Sequence, residues 1–462
     1  MPKYRITAGV VLLPLLIAGA AVLFWRHLPY QNVAARQIRH ALDGYGLKVN
    51  SLAVKQLDGN RAVIDNIRLG DNPALKIGHI AAEYRLQSLR SGKIDTITAD
   101  HLEAEIYRHA GKWQVGGLED FKMPEAPQKN AEPFFLFDIE KLRHRLPDRV
   151  ILKESQFVLR MDKDVATVPF GFDLILEPAP AFTLKTQKFN VASKPYAANL
   201  STAQLSGKLN AASREWTGKF SIPSVGINGL SRPIPPLSLK SEYRLSSAKL
   251  RAQLHIASAD KSHRVEITVS LPLAKPMQGN LLVAYLGFPW GGGQVFVENM
   301  HLPLSMKQPI SANIQLREVQ LSSLLQDTGG GKIRASGRIS GNLPVTYHPD
   351  GTVTLQEGGA EALEAGTLIV SPDLLPGENA QLAVARTMLQ NFHYTKLKIT
   401  ISSPDGKTSA IHLALEGQNP EAAEKRPVKL NVNLTGDILP LIQQSLIPFN
   451  DLKQLLQTQE KP

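Results

Sequence analysis

The run Val265-Glu266-Ile267-Thr268-Val269-Ser270-Leu271 sets an apolar side chain at every second position, with Arg264 and the intervening polar residues on the other parity. A period of two belongs to a β-strand, whose successive side chains leave opposite faces of the pleat. The pattern extends outward in both directions. Upstream, Val168-Pro169-Phe170-Gly171-Phe172-Asp173-Leu174 gathers Val168, Phe170, Phe172 and Leu174 on one face, and Leu102 to Ile106 and Leu250 to Ile256 alternate likewise. Downstream, Ile310, Ala312, Ile314 and Leu316 alternate with Ser311, Asn313, Gln315 and Arg317. Leu397, Ile399 and Ile401 follow, then Val428, Leu430, Val432 and Leu434. Pro404-Asp405-Gly406 has the residues of a hairpin turn. Strands about a dozen residues apart, with no βαβ series, predict a long antiparallel meander with one apolar and one polar face. A second sheet packed on the apolar face, making an ordinary two-layer core, is the competing arrangement.

The chain ends read differently. After Lys3 and Arg5, Ile6 to Trp25 is uncharged and mostly apolar; as a helix it is about 30 Å long, enough to cross a bilayer. Trp25 and Tyr30 suit the interface. Ala18-Gly19-Ala20 has the small-x-small form of a signal-peptidase site. Cleavage there would leave Ala21 to Trp25 exposed, which favours a retained anchor. Arg26, Arg36 and Arg39 partly offset the orienting charge of Lys3 and Arg5, but both processing readings place the bulk outside the cytoplasm. Ala34, Ile38, Ala41 and Leu42 recur at helical spacing before Gly44-Tyr45-Gly46. Pro124, Pro127 and Pro133 mark a linker, and Ile139, Leu142 and Leu146 a short helix after it. Gly291 to Gly293 and Gly329 to Gly331 are loop or bulge points. Ile438, Leu441, Ile442, Leu446, Phe449, Leu452 and Leu456 form a stripe broken by Pro440 and Pro448, a kinked helix that caps the last strand edge or lies on a membrane. The expected divisions are a stub and anchor over 1–28, a helix and β module over 29–122, a linker over 123–133, a central β segment over 134–328, a C-terminal β segment over 329–436, and a helix and tail over 437–462.

Composition narrows the chemistry. At 462 residues the chain exceeds one ordinary core, and 43% hydrophobic with 20% charged residues argues for a folded protein. Cysteine is absent, which removes disulfides, thiolate metal sites and cysteine nucleophiles. Net charge is +11, favouring anionic partners. Gly331-Lys332 is followed by Ile333, and Gly406-Lys407-Thr408 has Ile401 where a phosphate loop needs glycine. Histidines are scattered without a helix-spaced pair, so no metal or cofactor is expected. No Gly-x-Ser-x-Gly elbow occurs, and the basic residues are not clustered with aromatics, so neither catalysis nor nucleic-acid binding is expected.

Several stretches resemble YdbH-type proteins of the TamB and AsmA-like group. They are Gly337-Arg338-Ile339-Ser340-Gly341-Asn342-Leu343-Pro344, then Leu389-Gln390-Asn391-Phe392-His393-Tyr394-Thr395-Lys396-Leu397, then Leu415-Glu416-Gly417-Gln418-Asn419-Pro420 and Arg426 to Leu434. At the N-terminal end Leu52 to Leu57, Ile64 to Leu69 and Ala82 to Leu89 fit the same pattern. The resemblance implies a repeating β-groove: a long twisted antiparallel sheet curled into an open U, tethered to the inner membrane, lying in the periplasm and carrying phospholipid toward the outer membrane. It also implies a small outer-membrane lipoprotein that could pair with the C-terminal β edge. Members have borne a dicarboxylate-transport label. One uncharged apolar run forms no solute pathway, so that label is set aside.

The expected groove lining is Phe170, Phe172, Leu174, Val265, Ile267, Val269, Leu271, Ile314, Leu316, Leu397, Ile399 and Ile401, in a non-catalytic role. Exposing about 30 methylenes of a phospholipid would cost roughly 25 kcal/mol, so crossing water needs continuous apolar shelter. About 20 strands at ~4.8 Å would make a groove on the order of 95 Å long. The alternative function is an envelope assembly factor that assists outer-membrane protein insertion without carrying lipid.

Overall fold

The computed structural model describes residues 31–436, except 86, 89–92, 110–111, 122–145, 162–163, 178, 194, 231–232, 306–307, 326–331, 375–379, 407 and 423–425. The run Ile6 to Trp25, the proline-rich linker with most of the short helix after it, Gly329 to Gly331, and the apolar C-terminal stripe all lie outside the described residues. Among the described residues, no helix is long and apolar enough to cross a membrane. The fold is mainly β, and the chain divides into two units, 1–252 and 253–462.

The first unit opens with helix α1 (Gln31–Gly44). Ala34, Ile38 and Leu42 fall on one stripe and are 2%, 0% and 1% exposed. The helix ends where Gly46 takes a φ of +77° and donates its N–H to the carbonyl of Asp43. Gln31 and Arg39 donate to the carbonyls of Lys55 and Leu52, holding the helix against the first strand.

The strands of this unit are β1 (Val49–Leu57), β2 (Arg61–Leu69), β3 (Leu75–Glu83), β4 (Thr96–His109), β5 (Lys112–Val115), β6 (Arg149–Met161) and β7 (Asp164–Ile175). They continue as β8 (Ala181–Thr186), β9 (Phe189–Ser193), β10 (Tyr196–Leu200), β11 (Gln204–Asn210), β12 (Glu215–Asn228) and β13 (Leu237–Leu245). β1 to β4 form an antiparallel series. β6 then pairs with β4 in parallel, which corrects the expectation of a wholly antiparallel sheet. Alternation shows that a segment is a strand but carries no sign of its direction. A parallel pair needs a dozen or more residues of crossover, and the chain between β4 and β6 provides them.

From β6 the order is β6, β7, β8, β11, β12, β13, all antiparallel. β9 and β10 pair with each other, and β10 pairs with β12 beyond the part of β12 that β11 takes. The β8–β11 hairpin is therefore carried on by β9 and β10 past a shared break near 187–188 and 201–203. Among the described ladders β1 pairs with β2 alone, so this sheet does not close on itself.

One line of backbone irregularity crosses the first unit. Asn66, His101 and Glu154 hold φ near +50°. Register sets Asn66 opposite Gly78 and Gly78 opposite His101, and places Glu154 within the bulge that faces Gly171. A β-carbon on Gly78 would stand 3.1 Å from that of His101, so glycine admits the close approach. His101 and Glu154 pair across the line at 2.9 Å. Bulges bend a strand and raise its twist, and here they occur at one level on several strands.

β14 (Lys249–Ser258) contains the division between the units. The second unit then holds β15 (Arg264–Pro272), β16 (Asn280–Trp290), β17 (Gly293–Pro303), β18 (Ile310–Gln320), helix α2 (Leu321–Leu325), β19 (Ile333–Ala335), β20 (Arg338–Tyr347), β21 (Val353–Ala362) and β22 (Gly366–Val370). Helix α3 (Ala380–Leu389), β23 (Phe392–Ser403), β24 (Ser409–Gln418) and β25 (Val428–Gly436) complete it. The ladder is antiparallel throughout, in the order β15, β16, β17, β18, β20, β21, β23, β24, β25. β19 and β22 extend β20 and β21 past a break. At that break Gly337 has φ +100°, and the Tyr394 hydroxyl donates to the Ser336 carbonyl at 2.6 Å. The turn at Pro404-Asp405-Gly406 joins β23 to β24 as its residues predict, with Gly406 at φ +67°.

Helices were expected near the two ends and after the proline-rich linker; α2 and α3, inside the second unit, were not expected. Their cause is tertiary. Leu321 and Leu389 are buried against Val319, Ile339, Phe392 and Leu397, so the short helices exist to cover that end of the sheet.

Burial makes a direct prediction. Ile38→Ala should destabilise the first unit by about 2–5 kcal/mol, since the side chain is wholly enclosed. Ile267→Ala, at a half-exposed position, should cost clearly less. Urea denaturation of both variants against the parent checks the difference.

Candidate functional site: a continuous apolar face

Residues directly opposite in a ladder project from the same side of the sheet. Following those partners through the first unit gives one line: Val54, Ile64, Ile80, Ala99, Leu152, Phe172, Leu184, Leu205, Phe220 and Ser241. Nine of its ten members are apolar. In the second unit another line runs Phe288, Val295, Leu316, Gly341, Ala360, Ile399, Leu413 and Val432. It contains no polar side chain. Each unit thus presents one predominantly apolar face, built because strand pairing aligns the alternation of each strand with that of its neighbours.

All twelve residues that the alternation marked as lining lie on these faces. Phe170, Phe172 and Leu174 share a side of β7. Val265, Ile267, Val269 and Leu271 share a side of β15, with Leu286, Val283 and Leu281 opposite the first three. Ile314 and Leu316 face Leu343 and Gly341, and Leu397, Ile399 and Ile401 face Leu415, Leu413 and Ile411. Phe170, Leu316 and Leu397 are buried and the other nine are half-buried.

Exposure changes along each face. In the first unit Ile64, Ile80, Ala99 and Leu152 are no more than 2% exposed, because α1 and these residues form one cluster. Farther along the same line Phe172, Leu184, Leu205 and Phe220 are only half-buried. The face emerges from cover between β6 and β7. In the second unit α2 and α3 close one end of the strands, while Ile399, Ile401, Ile411, Leu413 and Val432 stay partly open.

From β6 to β13 the first face is rich in aromatic rings, some buried and some half-buried. Phe157 and Phe170 stack at 4.2 Å with their planes 8° apart, and Phe182 meets Trp216 at 5.3 Å. Gly207 and Gly218 lie opposite each other, and Gly218 opposite Tyr243. A β-carbon on Gly207 would meet the Phe182 and Tyr243 rings, and one on Gly218 the Ser206 carbonyl and the Tyr243 ring, whose hydroxyl donates to the Ser206 carbonyl at 3.0 Å. Burial under these neighbours pushes the Tyr243 phenol up to about 12.

Leu205, Trp216 and Phe220 were missed in the sequence because glycine at 207 and 218 breaks the apolar alternation of β11 and β12, and Leu184 because β8 is only six residues long. Leu205-x-Gly207-x-Leu209 and Trp216-x-Gly218-x-Phe220-x-Ile222 carry the signal once glycine is read as a neutral member of the pattern.

No Asp, Glu, Lys, Arg or His is buried among the described residues. The buried polar groups on the faces are hydroxyls; three of them are tied to nearby backbone, while the Ser409 hydroxyl is buried without a hydrogen-bond partner among the described residues. Ser155 donates to the Lys153 carbonyl, Thr186 accepts from the Ala203 N–H, and Ser403 donates to the Thr408 carbonyl, each at 2.9 Å. Charge is kept to the opposite side, in pairs such as Lys76–Glu103, Arg149–Asp173 and Lys398–Glu361. There Arg264 lies 5.1 Å from the Tyr285 ring centre and is bonded to Glu266.

A family model described as YdbH-like, intermembrane phospholipid transport protein YdbH, matches residues 197–461. The match covers more than half of the chain, and the chain belongs to that family. It takes in the whole described second unit and the last strands of the first. No curated protein and no solved structure matches the chain.

The glycine pair has a measurable consequence. Gly207→Ala, whose β-carbon would stand 2.6 Å from the Phe182 ring and 2.7 Å from the Tyr243 hydroxyl, should displace the Tyr243 ring toward water and bring its phenol back from about 12 toward the ordinary value near 10. Difference absorbance of the phenolate, with Tyr243→Phe as reference, reads the shift.

Proposed function

We propose that this member of the YdbH-like family is a non-catalytic phospholipid conduit of the Gram-negative envelope. Acyl chains lie against the apolar faces as lipid moves between the inner and outer membranes. The observation that carries this reading is a face continuous through each unit, free of buried charge, and left half-exposed over much of its length. Large apolar surface open to water on a folded protein marks a place where something apolar binds. A lipid supplies the missing cover, and the roughly 25 kcal/mol that about 30 methylenes would cost in water gives it reason to stay there.

In this reading Val265, Ile267, Val269, Leu271, Ile314, Leu316, Leu397, Ile399 and Ile401 line the second unit, and Phe170, Phe172 and Leu174 the first. Aliphatic and aromatic side chains of similar affinity let a chain slide without a deep trap. The apolar run Ile6 to Trp25 serves as a single-pass inner-membrane anchor, with the strands in the periplasm. β25 pairs with β24 alone among the described ladders, so its free edge can take a strand from a small outer-membrane lipoprotein. An assembly role for outer-membrane proteins would use that same edge. It would leave the half-exposed face without a purpose, and the lipid reading is preferred for that reason.

A photocrosslinking amino acid placed at Ile267 should give phospholipid adducts in cells, while the same group at Arg264, on the opposite side of β15, should give few. Equal adducts at both positions, or none at either, would defeat the conduit.

A further inference from the structure

Charge is spread unevenly along this chain. Residues 178–252 hold eleven Lys and Arg against two Asp and Glu, so +9 of the net +11 lies in this stretch. Elsewhere cations and carboxylates nearly balance, and the strands before and after carry cross-strand ion pairs. Within the stretch, Glu242 is taken by Lys219 at 3.0 Å, so two carboxylates cannot neutralise eleven cations.

The fold sets Lys185, Lys208, Lys240 and Arg244 on one side of one patch of sheet. Register carries Lys185 through Gln204 and Ser221 to Lys240, and Lys208 through Thr217 to Arg244. All four of these cations are exposed. Lys208 and Arg244 lie two strands apart, about 10 Å and close to the Debye length at 0.1 M salt, and Lys185 and Lys240 lie three apart, about 14 Å, so the fields of neighbouring cations overlap in part. Lys208 and Arg244 also stand near the strand ends at 210 and 245, where a headgroup would project if its acyl chains lay on the apolar side.

These are the strands, β8 to β13, on which the apolar face has come out from under α1. Two independent features therefore coincide: open aromatic-lined apolar surface, and an excess of positive charge at its back and ends. An amphiphile with apolar tails and a negative headgroup matches both. We infer that β8 to β13 are where the chain first takes up phospholipid, that the segment beneath α1 takes none, and that the lipid preferred there is anionic. The inference rests on the conduit reading and adds to it a loading segment and a headgroup class.

The test uses the unmodified full chain and two photoreactive phospholipids with identical diazirine-bearing acyl chains, a phosphatidylglycerol and a phosphatidylcholine. Adducts are mapped by mass spectrometry. At low ionic strength the phosphatidylglycerol should label β8–β13 peptides about fivefold more than the phosphatidylcholine. That ratio should fall toward one in high salt. It should also fall in the variant Lys185→Gln, Lys208→Gln, Lys240→Gln, Arg244→Gln, whose changes are all exposed and off the apolar side. Peptides around Ile64 and Ile80 should stay unlabelled. Equal labelling by the two lipids at low salt, a preference that persists in the variant, or labelling concentrated at Ile64 and Ile80 would overturn the inference. Labelling around Ile399 with none on β8–β13 would also overturn it while leaving the conduit reading standing. No labelling in either unit would remove the conduit reading itself.

Discussion

Cross-strand register is the constraint on which the rest of this protein depends. Each strand taken alone has an apolar side and a polar side, and only the pairing decides whether neighbouring apolar sides agree. A slip of one residue at any ladder would turn a strand's apolar side chains to the wrong face of the sheet. Bulges threaten the same error, because they add a residue on one strand. At the β15–β16 ladder the shift between Glu266 and Ile267 is met by Ala284, and Val265, Ile267 and Val269 still find Leu286, Val283 and Leu281 opposite them. The β6 bulge at Lys153 and Glu154 leaves Leu152 facing Phe172 on one side and Phe157 facing Val168 on the other. The irregularities bend the sheet without breaking the face.

An extended sheet with one apolar side must either cover that side or use it. This chain does both, in different places. Helix α1 drives Ala34, Ile38 and Leu42 into the strands that follow it, and α2 and α3 do the same at one end of the second unit. Those regions are ordinary cores and supply the burial that stabilises the two units. Elsewhere Leu209 with Trp216, and Val283 with Val297, sit in smaller buried clusters, while Leu184, Phe220, Ile267 and Val269 are only half-buried. Within this mixture Tyr243, lying against Gly207 and Gly218, shields backbone.

Electrostatics follows the same division of labour. Charge is excluded from the apolar side, where an unpaired ion would cost several kcal/mol to desolvate. On the polar side most of the chain is neutralised by ion pairs whose individual contribution to stability is small. Only the strands from β8 to β13 depart from that balance. In the proposed loading segment an anionic lipid would match both the positive side and the open apolar one.

Much of this was legible in the sequence, because a period of two is a local property. Val265 to Leu271, Ile314 with Leu316, and Leu397 to Ile401 declare their strands and their apolar sides without reference to anything distant. The stripe Ala34, Ile38, Leu42 declares α1 for the same reason. Tertiary structure decided what local pattern cannot hold. The parallel pairing of β4 with β6 depends on how a distant stretch returns. The roles of Gly207 and Gly218 depend on a tyrosine two strands away in one case and one in the other. Whether an apolar side is sealed, as at Ile80, or open, as at Leu184, depends on where a helix from another part of the chain comes to rest. Alternation identifies a face; only the remaining chain determines what lies against it.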